Sequence, residues 1–320
     1  MSVVAVCTGV FLVTTSSGSP SDLRDRLLRE APVQWNAYER KAVLIRATSK
    51  LQSQGLTFED GFSANATCRM LLRKRIDEPE TTLYAVNPDY SFELRRSRDK
   101  DAWNLFDVQL ATAEHGLPGR AAMTARDNNW PQLLVIRFYD EKLSELVAMP
   151  EFKIIAIEPD DSGLVRLEFE CHHDKGSDQT KMYAIQSGSV LLDPARYWCM
   201  REGQVHASQG QSKVIRSFRA TVDERLALPL PIHYETTEEW YRPDGTKSPY
   251  NPTVTADVSY DIHGEVPGSS EFRLSAFGLP EPPGLPKRTG WHIAFWLLNG
   301  LGIALVVIGV LYHARRRRAS

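Results

Sequence analysis

The residues best suited to chemistry stand in a few short stretches. "CHHD", Cys171 to Asp174, sets a thiol, two imidazoles and a carboxylate side by side, all natural zinc ligands. In a strand, however, Cys171 and His173 share one face while His172 points away, and no second CxxC or HxxxH pair completes four ligands. The stretch therefore reads as a strand end entering the turn "DKGSD" at 174–178, and no metal is expected. Paired carboxylates occur at Asp160-Asp161 and Glu238-Glu239. A general acid–base pair needs a cleft and a neighbour that raises one pKa, and the sequence supplies neither. His206 and His233 are single histidines on expected strands. GxSxG, P-loop, dinucleotide-binding and HExxH patterns are absent. No catalytic, cofactor-binding or metal residue is assigned, and a non-enzymatic protein is expected. "NAT" at 65–67 has the form of an N-glycosylation acceptor.

Cysteines occur at 7, 68, 171 and 199, and removal of a leader would leave three. In an oxidising compartment one pair could close, and Cys171 with Cys199 is the expected pair because both fall in neighbouring strands. Three buried free thiols are the alternative.

The elements that must position these residues are mostly strands. "YSFELRR" alternates Tyr90, Phe92 and Leu94 with polar residues, as do "VRLEFEC" (Val165, Leu167, Phe169, Cys171) and "VTADVSYDI" (Val254 to Ile262). Each reads as a half-buried antiparallel strand. Further strands are expected at 64–74, 103–110, 132–139, 152–158, 181–192, 196–207, 214–222 and 232–241, separated by turns such as "PDDSG" and "RPDG". Leu23, Leu27 and Leu28 mark a helix over 22–30 that ends by Pro32, and 35–54 is compatible with helix turning into strand. A second helix is placed at 140–148. The expected class is mainly β (α+β), a large curved antiparallel half-barrel sheet with one to three short helices. Its apolar face would carry Tyr90, Phe92, Trp103, Phe169 and Tyr260, to be covered by helices, a second sheet or an apolar ligand, with 22–30 as a lid.

Charge and hydropathy add a topology. Of 320 residues, 42% are hydrophobic and 24% charged, with formal net charge −2. Lys287, Arg288 and Arg315 to Arg318 leave 32 basic against 40 acidic residues before Lys287, a balance of −8. An acidic domain with no basic stripe excludes nucleic acid as the expected partner. Trp291 to Tyr312 carries no formal charge over 22 residues. At about 1.5 Å per residue it reaches roughly 33 Å, enough for a single transmembrane helix. Trp291, Trp296 and Tyr312 fit interfacial belts, and Arg315, Arg316, Arg317 and Arg318 mark the cytoplasmic side. Gly300 and Ala304 have small-xxx-small spacing, compatible with weak homo-association of spans. Val3 to Val13 has the length of a signal h-region, although no Lys or Arg precedes Arg24; a buried strand is the alternative.

The expected organisation is a signal segment 1–18, an extracytoplasmic β domain 19–275, a stalk 276–290, a span 291–312 and a basic cytoplasmic tail 313–320. Pro280, Pro282, Pro283 and Pro286 make the stalk extended and stiff. This places the protein in the cytoplasmic (inner) membrane with its bulk outside.

Two passages, "YAVNPDYSFELRR" (Tyr84 to Arg96) and "GSVLLDPARYWCMREGQV" (Gly188 to Val205) with the following "LPLPIHYETTEEWYRPDG", resemble periplasmic lipoprotein carriers and receptors of the LolA/LolB type. The resemblance spans about residues 35–275 and rests on strand order and spacing. It implies a half-open antiparallel barrel closed by helices over an apolar cavity. A C-terminal span departs from that family and also resembles single-span bacterial envelope proteins, so a tethered binder of lipid or acylated protein is expected rather than a shuttle. An interaction module with a fully packed core is the alternative, and a hydrolase-like enzyme the third.

Overall fold

The computed structural model describes residues 20–111, 130–138, 141–171 and 183–283, together with residues 124 and 285. Two compact units are delimited, Met1–Pro280 and Glu281–Ser320, and the first contains every strand and helix among the described residues. The expected signal segment, the span with Trp291, Trp296 and Tyr312, and the tail from Arg315 to Arg318 lie outside the described residues. Among those described, no helix is long and apolar enough to cross a membrane.

Helix α1, Pro20–Ala42, buries Leu27, Ala31, Trp35, Tyr38 and Ala42, a stripe at helical spacing. It does not stop at Pro32 as the sequence suggests. The hydrogen bond that Pro32 cannot donate would go to the carbonyl of Leu28, whose side is exposed, so water can serve it. Burial of Trp35 and Tyr38 beyond the proline offsets the cost of continuing.

A first meander follows: β1 (Arg46–Ser53), β2 (Leu56–Ala64), β3 (Arg69–Arg75), β4 (Thr81–Val86), β5 (Tyr90–Arg96) and β6 (Asn104–Leu110). Then come a 3-10 helix (Pro131–Ile136), the short pair β7 (Arg137–Phe138) and β8 (Glu141–Lys142), and α2 (Leu143–Ala148). The second meander is β9 (Phe152–Pro159), β10 (Val165–Cys171), β11 (Ala184–Asp193), β12 (Cys199–Gln209), β13 (Ser212–Val222), β14 (Pro231–Tyr241) and β15 (Thr253–Asp261). All but β7 and β8 join one antiparallel sheet of 13 strands, ordered β6-β5-β4-β3-β2-β1-β15-β14-β13-β12-β11-β10-β9. The two meanders meet at the β1–β15 seam, where Arg46 pairs with Asp261 and Ser53 with Val254. The fold is mainly β, and its sheet is antiparallel, large and not closed, with β6 and β9 at its two ends.

Of the stretch 132–139, expected as a strand, Gln132 to Ile136 belong to the 3-10 helix and Arg137 and Phe138 are extended in β7, while residue 139 lies outside the described residues; every residue from Pro131 to Ile136 is buried. The run is apolar without alternation, so it has no wet face to offer as a strand. It lies between α1 and the sheet, with the Tyr38 hydroxyl donating to the Gln132 carbonyl at 2.7 Å. This defines the inner face of the sheet as the one on which α1, the 3-10 helix and α2 rest. Close approach needs glycine at Gly203, where a Cβ would lie 2.7 Å from the Phe138 ring.

Glu39 pins α1 to this layer through Arg137 at 2.6 Å and Lys142 at 3.0 Å. Burial pushes the Glu39 carboxyl up, but the Arg137 charge and the Lys142 and Arg137 hydrogen bonds outweigh it and hold the group below the usual carboxylate range. A lowered folded-state pKa stabilises above the unfolded value and is lost as pH falls through the folded one. Acidification from about pH 6 to about pH 3.5 should therefore lower the urea midpoint of the wild type more than that of Glu39→Gln. Equal losses in the two proteins would show that the contact contributes nothing to docking.

The apolar face changes sides along the sheet. Register places Tyr260, Ala47, Phe62, Leu71, Tyr84 and Glu93 in one cross-strand row on the inner face. Phe92 is one residue out of that row and so points outward. On β5, Tyr90, Ser91, Phe92, Glu93 and Leu94 are all buried, so the strand is covered on both faces rather than half-buried. The outward cover comes from two 3-10 turns after β15, Ser269–Phe272 and Leu274–Phe277. Phe277 meets Phe92 and Trp103 edge-on at 6.0 and 5.9 Å, the Leu274 amide donates to the Tyr90 hydroxyl, and the Asn87 amide donates to the Phe272 carbonyl.

Candidate functional site

The five aromatics expected on one apolar face are divided by this change of side. Phe169 and Tyr260 belong to the inner core, whereas Tyr90, Phe92 and Trp103 form a separate outer cluster under Phe272 and Phe277. Alternation along a strand is visible in sequence, but which of the two phases meets the inner face is set by register with distant strands.

Cys171 and Cys199 do not form a disulfide. Both thiols are reduced and buried, and β11 lies between their strands, with Cys171 beyond Ser187 and Cys199 opposite Asp193 at its other end. At about 3.4 Å per residue that separation is near 20 Å, far beyond the ~7 Å Cα limit of a disulfide. The Cys171 thiol instead faces the Met149 sulfur at 3.8 Å. His172, His173 and Asp174 lie outside the described residues, among which no group of three metal-ligating side chains converges.

The carboxylate pairs part company as well. Asp160 organises its turn, accepting from the Ser162 hydroxyl and the Ser162 and Leu164 amides, and the Ser162 hydrogen bond leads in lowering its pKa. Glu238 points inward, while Glu239 points outward to Lys247 and Tyr241. Asn65 is no acceptor for a glycan in this fold. It is buried, its amide donates to the Pro267 carbonyl, and its oxygen accepts the Thr67 and Cys68 amides.

What the structure does bring together is a set of charges on the inner face. Asp60, 2% exposed, receives a bidentate guanidinium from Arg73, at 2.9 Å from Nε and 2.6 Å from Nη2. Burial opposes the Arg73 charge, yet its hydrogen bonding to Asp60 outweighs this and raises its pKa. Beside the pair lies a cavity of about 240 Å³, walled by Leu51, Phe58, Val254 and, from the 3-10 helix, Leu134. Its polar side is Asp60, Arg73, Arg216, Tyr234 and Thr236. The Tyr234 phenol is pushed far up, by burial first and the Asp60 charge second, so it stays a neutral hydroxyl. Arg216 stands across from Glu238 in the β13–β14 register, 4.0 Å from its carboxylate.

The sequence contains a signal for these residues. In "LTFEDGFSA" Asp60 shares its phase with Phe58 and Phe62, and in "KVIRSFRATV" Arg216 shares its phase with Val214 and Phe218. A charge in apolar phase must be buried with a partner or line a pocket.

A larger hollow, about 570 Å³, lies on the outer face across β10 to β14. It is polar and open, and two of its charges pair across strands, Arg219 with Glu202 at 3.1 Å. The purely apolar recess between α1, α2 and β9 to β11, by contrast, holds only about 10 Å³.

No family model and no curated protein matches the chain. Among solved structures, one from work described as "Unveiling the Mechanism Behind the in-meso Crystallization of Membrane Proteins" is similar at 7% identity and TM-score 0.25, covering 74% of this chain and 96% of that one. A protein of unknown function from the DUF3598 family of Nostoc punctiforme is similar at 14% identity and TM-score 0.16, covering 70% and 98%. Neither likeness is close enough to carry an argument, and neither bears on the lipoprotein-carrier resemblance.

Proposed function

We propose that this protein is a membrane-tethered, extracytoplasmic and non-enzymatic binding domain of half-barrel form, whose inner face takes an amphiphile such as a lipid or an acylated protein. The single observation that carries this is the cavity beside Asp60 and Arg73, apolar on one wall and lined by guanidinium and hydroxyl groups on the other. Apolar pockets with a few convergent polar groups are the usual form of small-ligand sites, although those for drug-sized ligands run about 300–1,000 Å³. At about 240 Å³ the cavity holds a chain end. A longer chain enters by displacing Leu134 and the 3-10 helix that bears it.

The packed remainder of the inner face favours a second function, an interaction module with no ligand. A recess of about 10 Å³ has room for one water at most. The two are separated by titrating the purified full chain with a fluorescent single-chain fatty acid. Saturable uptake with one site is expected, falling at least tenfold in Leu134→Trp, which fills the cavity. Absence of saturable uptake in the wild type would leave the interaction module.

A further inference from the structure

Beyond the cavity, β14 continues along the inner face through Glu238 to Trp240. Trp240 is half-buried, its indole N–H donating to the Glu238 carboxylate at 3.1 Å. Two tyrosines surround it: the Tyr183 and Tyr250 rings lie 6.2 and 6.4 Å from the indole, each tilted by 60°. Tyr250 is 55% exposed, which opens the group to solvent. Three π-systems with a carboxylate at their edge form a place for an organic cation, because ring faces are electron-rich and a quaternary ammonium loses little hydration there.

The order of groups along the strand gives the ligand a direction. First come the apolar wall and the Arg73 guanidinium, then Arg216 and Glu238 side by side across β13 and β14, then the rings. Glu238 and Trp240 are two residues apart, about 7 Å along a strand. We infer that this end of the inner face binds a zwitterionic choline-type headgroup, with the phosphate toward Arg216 and the trimethylammonium against Trp240, Tyr183, Tyr250 and the Glu238 carboxylate. This rests on the amphiphile-binding function proposed above and names the class of its head.

The test compares lysophosphatidylcholine with lysophosphatidic acid of equal chain length, both below their micellar concentrations, and with chain-free phosphocholine, by calorimetric titration of the purified full chain. The choline lipid is expected to bind about tenfold more tightly than the lipid lacking the ammonium, in line with the strength of a desolvated cation–π contact. Trp240→Ala should abolish that preference with lysophosphatidic acid binding unchanged. Tyr250→Ala, on an exposed loop where folding is not at stake, should reduce it severalfold. Saturable binding of both lysolipids without preference overturns the headgroup assignment and leaves the amphiphile site standing. Binding of neither overturns both. Phosphocholine binding as tightly as the lysolipid overturns the lipid assignment in favour of a soluble choline ester.

Discussion

Trp35→Ala is expected to destabilise the domain by about 4 kcal/mol, near the upper end for a large buried aromatic because both the ring and its hydrogen bond are lost. Trp35 is 1% exposed, and its indole N–H donates to the Trp198 carbonyl at 2.8 Å. That carbonyl sits in an unusual turn, where Tyr197 and Trp198 both hold positive φ, 58° and 51°. Left-handed backbone costs a non-glycine residue about 1–2 kcal/mol, so the surroundings must over-determine the turn. Trp35 does so from one side, and Tyr38 does so through an edge contact with Tyr197 at 5.8 Å. Trp35→Phe, which keeps a ring and loses the donor, should cost about 1–2 kcal/mol. Urea denaturation of the purified full chain measures both, and hydrogen exchange over α1 shows whether the helix loosens before the sheet. A loss below about 1 kcal/mol for the alanine variant would mean that α1 does not hold the inner face in the way described.

Arg73→Ala should cost about 3 kcal/mol, because it strands the Asp60 carboxylate, whose side chain is 1% exposed, without its bidentate cation. The pair itself contributes less than this figure suggests, since part of its attraction offsets desolvation. The double variant Asp60→Ala with Arg73→Ala should accordingly recover most of the loss. Arg73 is 34% exposed, so the reciprocal Asp60→Ala is expected to be milder: the guanidinium can turn to water. A complete cycle by urea denaturation checks the asymmetry. Equal costs for the two single variants would contradict the burial difference on which it rests.

Much of the sheet was legible from residues alone. "VRLEFEC" alternates strictly, and β10 follows it with every second residue buried. The runs at 152–158, 214–222 and 232–241 coincide with β9, β13 and β14 to within about two residues. Where expectation failed, the cause was long-range. Nothing local in "YSFELRR" says that its second face will be closed by Phe272 and Phe277, nearly two hundred positions later in the chain. Nor does "PQLLVIRF" disclose that it lies under a sheet rather than in it. The candidate site was hidden for another reason: its cavity contains no histidine or cysteine, the doubled carboxylate at 238–239 sends only Glu238 to its edge, and the only mark of Asp60 and Arg216 is a charge in apolar phase.

The β1–β15 seam also governs how the chain must fold. Its partners are more than two hundred residues apart, Arg46 with Asp261, and the outer side of β4 and β5 waits for a cover that comes later still. Each meander can form from local hairpins, but joining them requires closing the longest loop in the domain, and such non-local pairing is slow. Until then Tyr90, Phe92 and Leu94 face water beside the edge strand β6, a surface prone to aggregate. A nascent chain that has passed β6 thus has a long interval during which a holding chaperone, rather than its own sequence, must keep the first meander unassociated.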